Sequence, residues 1–265
     1  MKKVFLILLS ITILFFTGCN NSKKEDQEVL KVGMELAYPP FEMSNISGKP
    51  TGVSVDLAYA LGKYLNKKVI IENIAWDGLI PSLKTNKVDI IISSMTITDE
   101  RKKTIDFSEP YAKSSLAILA GINSNIENIN DLNQKDKTVA VKKGSTGHIY
   151  AKDHLKEANI LVFDKENACV LEVVQGKADG FIYDQLTIYK NYSRNQTTTK
   201  PILQSFQKDF EYWGIALRKN EPELKSKIDQ FIKKSKEDGT FDKLSYKYLK
   251  EARETFDKLG IPFFF

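Results

Sequence analysis

Residues 89–111 read DIIISSMTITDERKKTIDFSEPY, from Asp89 to Tyr111, and the reading of the chain turns on them. Val88 to Ile92 is apolar apart from Asp89 and does not alternate, the pattern of a strand buried on both faces of a parallel sheet. The strand ends in Ser93, Ser94, Met95 and Thr96. Thr98 then caps a short turn with acidic residues behind it, and Arg101 lies one turn further on. A strand end leaves backbone groups free, hydroxyls add short-range donors, and one guanidinium adds a bidentate fork. That set suits a carboxylate. Arg101 alone, beside Lys102 and Lys103, would read as a surface helix residue.

Outward from this stretch, apolar runs of strand length alternate with segments of helical period. Val29 to Met34 reads as a strand, and Leu57, Ala58, Leu61 and Leu65 form a helical stripe. Lys68 to Ile74 is a strand, and Asp77 is placed to cap the helix that carries Leu79, Ile80 and Leu83. A second unit repeats the pattern. It has strands at Thr138–Val141, Ile160–Phe163 and Gly180–Tyr183, and helices at His148–Lys156, through Val170, Val173 and Val174, and from Asp184. A strand near Trp213 to Leu217 and two helices, about Leu224–Lys236 and from Phe241, complete the pattern. Repeated β-α-β units predict parallel sheets with helices on both faces and ligand sites at the carboxyl ends of strands. The apolar tail Gly260 to Phe265 is expected to dock against a lobe.

Two further groups have the chemistry of a small-molecule site. Gly144-Ser145-Thr146-Gly147 opens a helix, where unpaired N–H groups favour an anion. Asp184 follows a strand, a position open both to a helix N-cap and to a cation partner. His148 and His154 lie six residues apart on one helical segment, hence on different faces. No nucleophile–His–acid set and no metal-ligand spacing is present, so neither cofactor nor metal is expected.

The N-terminus reads as an address. Lys2 and Lys3 precede an apolar run from Val4 to Phe16, too short to span a bilayer, and small residues lead to Cys19. Phe16-Thr17-Gly18-Cys19 resembles a bacterial lipobox, with Phe16 in place of the usual Leu. The resemblance implies that residues 1–19 are a signal whose Cys19 is lipidated, with residues 20–28 a flexible tether to the membrane. Loss of residues 1–19 removes Lys2 and Lys3 and no acid, lowering the formal charge from +5 to +3. The remaining lysines are scattered, which gives nucleic-acid binding little support. Cys169, beside Val170 and Leu171, reads as a buried core residue.

Together, the strand end, the TIT-x-E-R stretch at 96–101 and the DFS-x-P-Y stretch at 106–111 closely resemble extracellular solute-binding protein family 3. These are the polar amino-acid receptors of ABC importers. The resemblance runs from about Leu30 to Leu249. Tyr38-Pro39-Pro40-Phe41-Glu42 is similar to the family's first motif, and Gly52 to Leu57, GVSVDL, to its GFDVDL, with Val53 and Ser54 departing from it. It implies an α/β, two-lobed periplasmic-binding-protein type 2 fold, each lobe a mostly parallel sheet with helices on both faces, joined by a two-stranded hinge. The chain would cross near Tyr111–Ser115 and again near Asp209–Tyr212. Lobe 1 then combines residues 29–111 and 212–265, and lobe 2 spans 115–208.

The same resemblance implies roles for the site residues. Arg101, Ser94, Met95 and Thr96 would hold the ligand's polar end on lobe 1, with Ser145 and Thr146 meeting its carboxylate from lobe 2. Asp184 would accept its ammonium, and Tyr38 and Trp76 would pack on its side chain. Glu35 would select a basic or polar side chain by ion pairing, aided by cation–π contact with the aromatics, unless it is a solvated strand-end residue. The implied protein is a non-catalytic, monomeric receptor outside the cytoplasm, in the periplasm or on the outer face of the cytoplasmic membrane. It would hold a free L-amino acid and deliver it to an ABC importer permease. A dehydratase-like enzyme on the same fold and a sensory amino-acid receptor are the alternatives.

Overall fold

The computed structural model describes residues 27–265. The signal, Cys19 and most of the tether lie outside the described residues. The first lobe starts with β1 (Val29–Met34) and a small antiparallel sheet of β2 (Ala37–Tyr38), β3 (Glu42–Ser44) and β4 (Pro50–Thr51). It continues through α1 (Val53–Tyr64), β5 (Lys68–Asn73), α2 (Leu79–Lys84), β6 (Ile90–Ile91), α3 (Asp99–Lys102) and β7 (Asp106–Phe107). After β8 (Ala112–Ser114) the second lobe holds β9 (Leu116–Gly121), β10 (Thr138–Lys142), α4 (Thr146–His154), β11 (Asn159–Phe163) and α5 (Glu166–Val174). It ends with β12 (Gly180–Asp184), α6 (Gln185–Arg194) and β13 (Thr199–Ile202). The chain returns through β14 (Glu211–Trp213) to β15 (Ala216–Leu217), α7 (Pro222–Glu237), α8 (Thr240–Tyr248) and α9 (Lys250–Leu259).

Each lobe carries a five-stranded sheet, ordered β5-β1-β6-β15-β7 in one and β11-β10-β12-β9-β13 in the other. In each, one strand runs against the rest, β15 in the first and β9 in the second. Both reversed strands directly follow a crossing, β14 before β15 and β8 before β9. Strands such as β1 and β10 end at the space between the lobes, whereas a strand entering from the hinge must start there and run away from it. The crossings pair with each other antiparallel, Tyr212 opposite Lys113, as a two-stranded hinge.

The helical stripe predicted for α1 is the face it buries: Leu57, Ala58 and Leu61 are each 0% exposed, and Leu65 packs on the same core. Burial of one such Leu is worth about 1.5–3 kcal/mol, so truncating Leu57 to Ala is a change of about 2–5 kcal/mol. Cys169 is fully buried among Ala140, Val173 and Phe181 in the second lobe, and burial pushes its thiol up to about 12.

Several sequence expectations are corrected. The run Val88 to Ile92 is regular strand only at Ile90–Ile91; Val88 and Ile92 are equally buried, but Asp89 between them is partly exposed. Asp77 does not cap α2; it sits inside a single 3₁₀ turn, Trp76–Gly78, and Gly78 occupies the cap position. Trp213 to Leu217 is two strands, one in the hinge and one in the first sheet. A third C-terminal helix, α9, follows the two anticipated. Gly260, at φ +65°, ends it.

Candidate functional site

Strand ends converge where the lobes face each other, and a small cleft lies between them. Glu35, Ser93 and Ser94 follow β1 and β6 on one side. Tyr183 and Asp184, which end β12, lie on the other. The cleft is lined by Glu35, Tyr38, Trp76, Ser94, Thr96, Arg101, Ser145, Thr146 and Asp184, nine of the ten residues proposed from sequence. The tenth, Met95, is a correction. Its side chain is 1% exposed and packs in the core with Leu79, Ile91 and Ile105, because the residue after Ser94 turns back under the sheet. Ser94 itself has φ +48°, an uncommon backbone conformation for a residue with a Cβ.

Arg101 is 7% exposed. Its backbone N–H is capped by the Thr98 hydroxyl at 3.2 Å, which fixes the short helix α3. One Nη donates to the Thr96 carbonyl at 2.6 Å and the other to the Gly144 carbonyl of the opposite lobe at 3.0 Å. The guanidinium carbon lies 5.2 Å from the centre of the Trp76 ring. Burial lowers the guanidinium to about 10, opposed by the nearby Glu211 carboxylate, so it remains charged at neutral pH. Gly144 has φ +69°, and a Cβ there would stand 3.4 Å from the Trp76 indole nitrogen. The turn therefore brings bare backbone to the arginine.

At the start of α4, the Ser145 hydroxyl accepts from the His148 N–H at 3.1 Å. Gly147 lets this helix approach β12, since a Cβ there would lie 2.3 Å from the Ile182 carbonyl oxygen. Thr146 faces the cleft and donates through its hydroxyl to Glu211 at 2.9 Å. Thr96, on the opposite lobe, donates to the same Glu211 oxygen at 3.1 Å. A third donor, the Gln207 side-chain amide, reaches the other oxygen at 3.1 Å. A hinge carboxylate thus sits between two hydroxyls, one from each lobe, within electrostatic reach of Arg101.

Asp184 is 8% exposed, and one of its oxygens accepts from the Thr187 N–H at 3.0 Å as the cap of α6. Its other oxygen is buried with no hydrogen-bond partner. Burial raises this carboxyl above the usual range, partly offset by the bond from Thr187. An acid with one lone oxygen in a cleft has the chemistry to accept from an ammonium group.

The remaining wall is aromatic and charged. Tyr38 stacks on Phe41 at 5.4 Å and meets Tyr183, across the cleft, edge-on at 6.1 Å. Trp213 lines the hinge side. Glu35 forms an ion pair with Lys142, from the end of β10 in the other lobe, and the Lys142 Nζ lies 5.5 Å from the Trp76 ring centre. Below them Glu42 is fully buried and accepts from the hydroxyls of Ser54, Ser94 and Ser93 at 2.6, 3.1 and 3.3 Å. Burial outweighs those bonds and pushes its carboxyl up to about 8.

Sequence reasoning did not assign Lys142, Glu211, Trp213, Tyr183 or Glu42 to the site. Lys142 follows the same strand-end logic as Glu35, so that signal was present. Glu211 lay in a segment read only as a crossing.

Residues 30–251 match the model of the bacterial extracellular solute-binding proteins, family 3. The chain belongs to that family. It is similar to the L-cystine-binding protein TcyJ of Escherichia coli strain K12, 30% identical over 229 residues that cover 86% of this chain and 85% of that one. Among solved structures, an ancestral amino-acid-binding protein described as a precursor of cyclohexadienyl dehydratase matches with a TM-score of 0.75. It is 38% identical and covers 84% of this chain and 95% of its own. An ancestral arginine-binding protein bound to glutamine matches with a TM-score of 0.76 and 35% identity, covering 84% and 98%. The family places the chain among extracellular solute-binding proteins, and these relatives are amino-acid-binding proteins on the same two-lobed fold. Among the described residues no helix is long and apolar enough to cross a membrane, and no group of His, Cys, Asp and Glu could hold a metal ion.

Proposed function

We propose that this chain is a non-catalytic receptor that closes on one free α-amino acid and presents it to an ABC importer permease. One observation carries the reading: the Glu211 carboxylate, beside Arg101 and held by Thr96 and Thr146 from opposite lobes. These groups form a carboxylate seat that needs both lobes, and Glu211 stands in it where a ligand's α-carboxylate would stand. The lone oxygen of Asp184 then receives the α-ammonium. A ligand that touches both lobes favours the closed state by its differential affinity for it, and exclusion of water strengthens each ion pair.

The side chain would lie between Trp76, Tyr38 and the Glu35–Lys142 pair. Glu35 alone would suit a cationic side chain. Paired with Lys142 it offers one acceptor and one ammonium donor side by side. A bare cation would lose its acid and meet two cations, Lys142 and Arg101, over the same indole. A terminal amide, which both donates and accepts, fits such a pair. We therefore favour a polar ligand of the glutamine type over a basic one. The relatives' cystine, arginine and glutamine define the range to screen. Anchoring through a lipid on Cys19 would keep the receptor at the outer membrane surface next to its permease.

Calorimetry and thermal-shift titration with the amino acids decide this. Glutamine should bind and raise the melting temperature by mass action, with the ligand recovered unchanged. Binding of none of the twenty amino acids nor cystine would sink the reading; turnover of the ligand would favour an enzyme.

A further inference from the structure

The family match ends at residue 251, just inside α9, so most of that helix and the tail to Phe265 lie outside it. This segment is built into the back of the ligand cleft. Phe264 is 3% exposed, and its ring lies 5.0 Å from that of Phe41, 5.6 Å from Trp213 and 5.3 Å from Phe256 of α9. Phe41 in turn stacks on Tyr38, and Phe41 and Trp213 meet edge to face at 4.8 Å. Tyr38 and Trp213 line the cleft, so Phe264 is one ring removed from the ligand.

The same residue is tied to the hinge. The Lys113 N–H, in hinge strand β8, donates to the Phe264 carbonyl at 2.9 Å. Lys113 pairs with Tyr212 of the other hinge strand, and Trp213 is the next residue. The tail is held in its turn by the Ile261 N–H donating to the Phe256 carbonyl at 2.9 Å. On the far side Leu259 to Pro262 face Gln185 and Leu203 of the second lobe across a groove. One short segment therefore supports the aromatic wall, adds a backbone bond to the hinge and faces the second lobe.

We infer that the C-terminal segment beyond the family match is a hinge strap and that Phe264 is a positioning residue for ligand binding. Phe264 holds Trp213 and, through Phe41, Tyr38 at the angle the ligand meets, and its carbonyl restrains the strand about which the lobes close. The ligand arm of this inference rests on the amino-acid reading above; the hinge arm does not.

Phe264→Ala and Phe264→Leu, each measured well below its own melting temperature, test it. Phe264→Ala should raise Kd roughly tenfold, mainly through faster release, while Phe264→Leu, which keeps most of the apolar volume, recovers most of the loss. Independently of any ligand, hydrogen exchange at the Lys113 amide should quicken by about tenfold or more in Phe264→Ala, with exchange in the β10 and β12 amides unchanged. A lower melting temperature with Kd within about twofold and Lys113 exchange unchanged would show a merely structural tail and overturn the proposal. Should Phe264→Ala not fold, a series of Leu, Val and Met decides by the same two readouts. If the unmodified chain binds no amino acid, the functional reading fails and the exchange arm alone decides the strap.

Discussion

Glu35 and Lys142 approach from opposite lobes and pair beside the face of Trp76, so the residue that would select a cation is already matched with one. Both are strand-end residues, one after β1 and one ending β10. Because they sit on different lobes, the closure proposed above would bring them together and opening would separate them.

If that pair reads the ligand's side chain, removing the ammonium should change which ligand is preferred. Lys142→Met keeps the stem and frees Glu35. Arginine or lysine should then gain on glutamine by roughly tenfold or more in relative Kd. Titration of both ligands into both proteins measures it. An unchanged ratio would show that the pair is an interlobe brace with no part in selection.

Arg101→Ala should weaken binding at least about a hundredfold while the chain stays folded, since a charge-assisted fork to the carboxylate disappears. Arg101→Lys should recover only part, because a point ammonium cannot serve the Thr96 carbonyl, the Gly144 carbonyl and a carboxylate with the same geometry. Calorimetry with circular dichroism as the folding control reads both. Near-normal affinity in the alanine variant would remove Arg101 from the site.

If the ligand's carboxylate takes the place proposed for it, it competes with Glu211 for the hydroxyls of Thr96 and Thr146 and for the charge of Arg101. Glu211→Gln retains an acceptor for both hydroxyls and removes the competing charge. Kd should fall by roughly three- to tenfold. A weaker complex would instead make Glu211 a hinge support that the bound state also requires.

Three of the nine cleft residues proposed from sequence, Ser94, Thr96 and Arg101, lie in residues 89–111, where a buried strand ends in hydroxyls ahead of an arginine; the roles of the others came from the family resemblance. The two sheets were legible as apolar runs and stripes of distinct period. What escaped was set by tertiary approach. Lys142 and Glu35 lie 107 residues apart in sequence, and nothing local to either reveals the other. Met95 looked like its neighbours, yet one turn of backbone at Ser94 buries it. Helix α9 and Phe264 read only as an apolar end; their place behind Trp213 depends on where the hinge lies.

Ser54 illustrates a departure from the family pattern that the structure accounts for. The family motif carries an acid where this chain has Ser54, and here that hydroxyl donates to the buried Glu42 at 2.6 Å. Ser54→Asp would face one buried carboxyl with another and should cost about 2–4 kcal/mol of stability. Urea denaturation near neutral pH checks it. An undiminished midpoint would mean that the pocket under the cleft is open to water.

Glu42 also sets a pH dependence. Its carboxyl is raised by burial from 4.5 to about 8 in the folded chain, and that of Glu166, half-buried beside Asn191, is raised by desolvation to about 7. Between the unfolded and folded values the folded state holds protons that the unfolded chain has released. The stabilisation linked to those protons is fully present below about pH 4.5 and lost as pH rises through 7 and 8. The unliganded receptor should therefore be more stable near pH 5 than near pH 8, with each group contributing up to about 1.4 kcal/mol per pH unit inside its window. Glu42→Gln keeps an acceptor for Ser54 but cannot titrate, so it should flatten the part of the slope that extends to about pH 8. Urea midpoints at half-unit pH steps distinguish the two. Superimposable slopes in the two proteins would show that Glu42 is ionised throughout, and its three serine donors would then outweigh its burial.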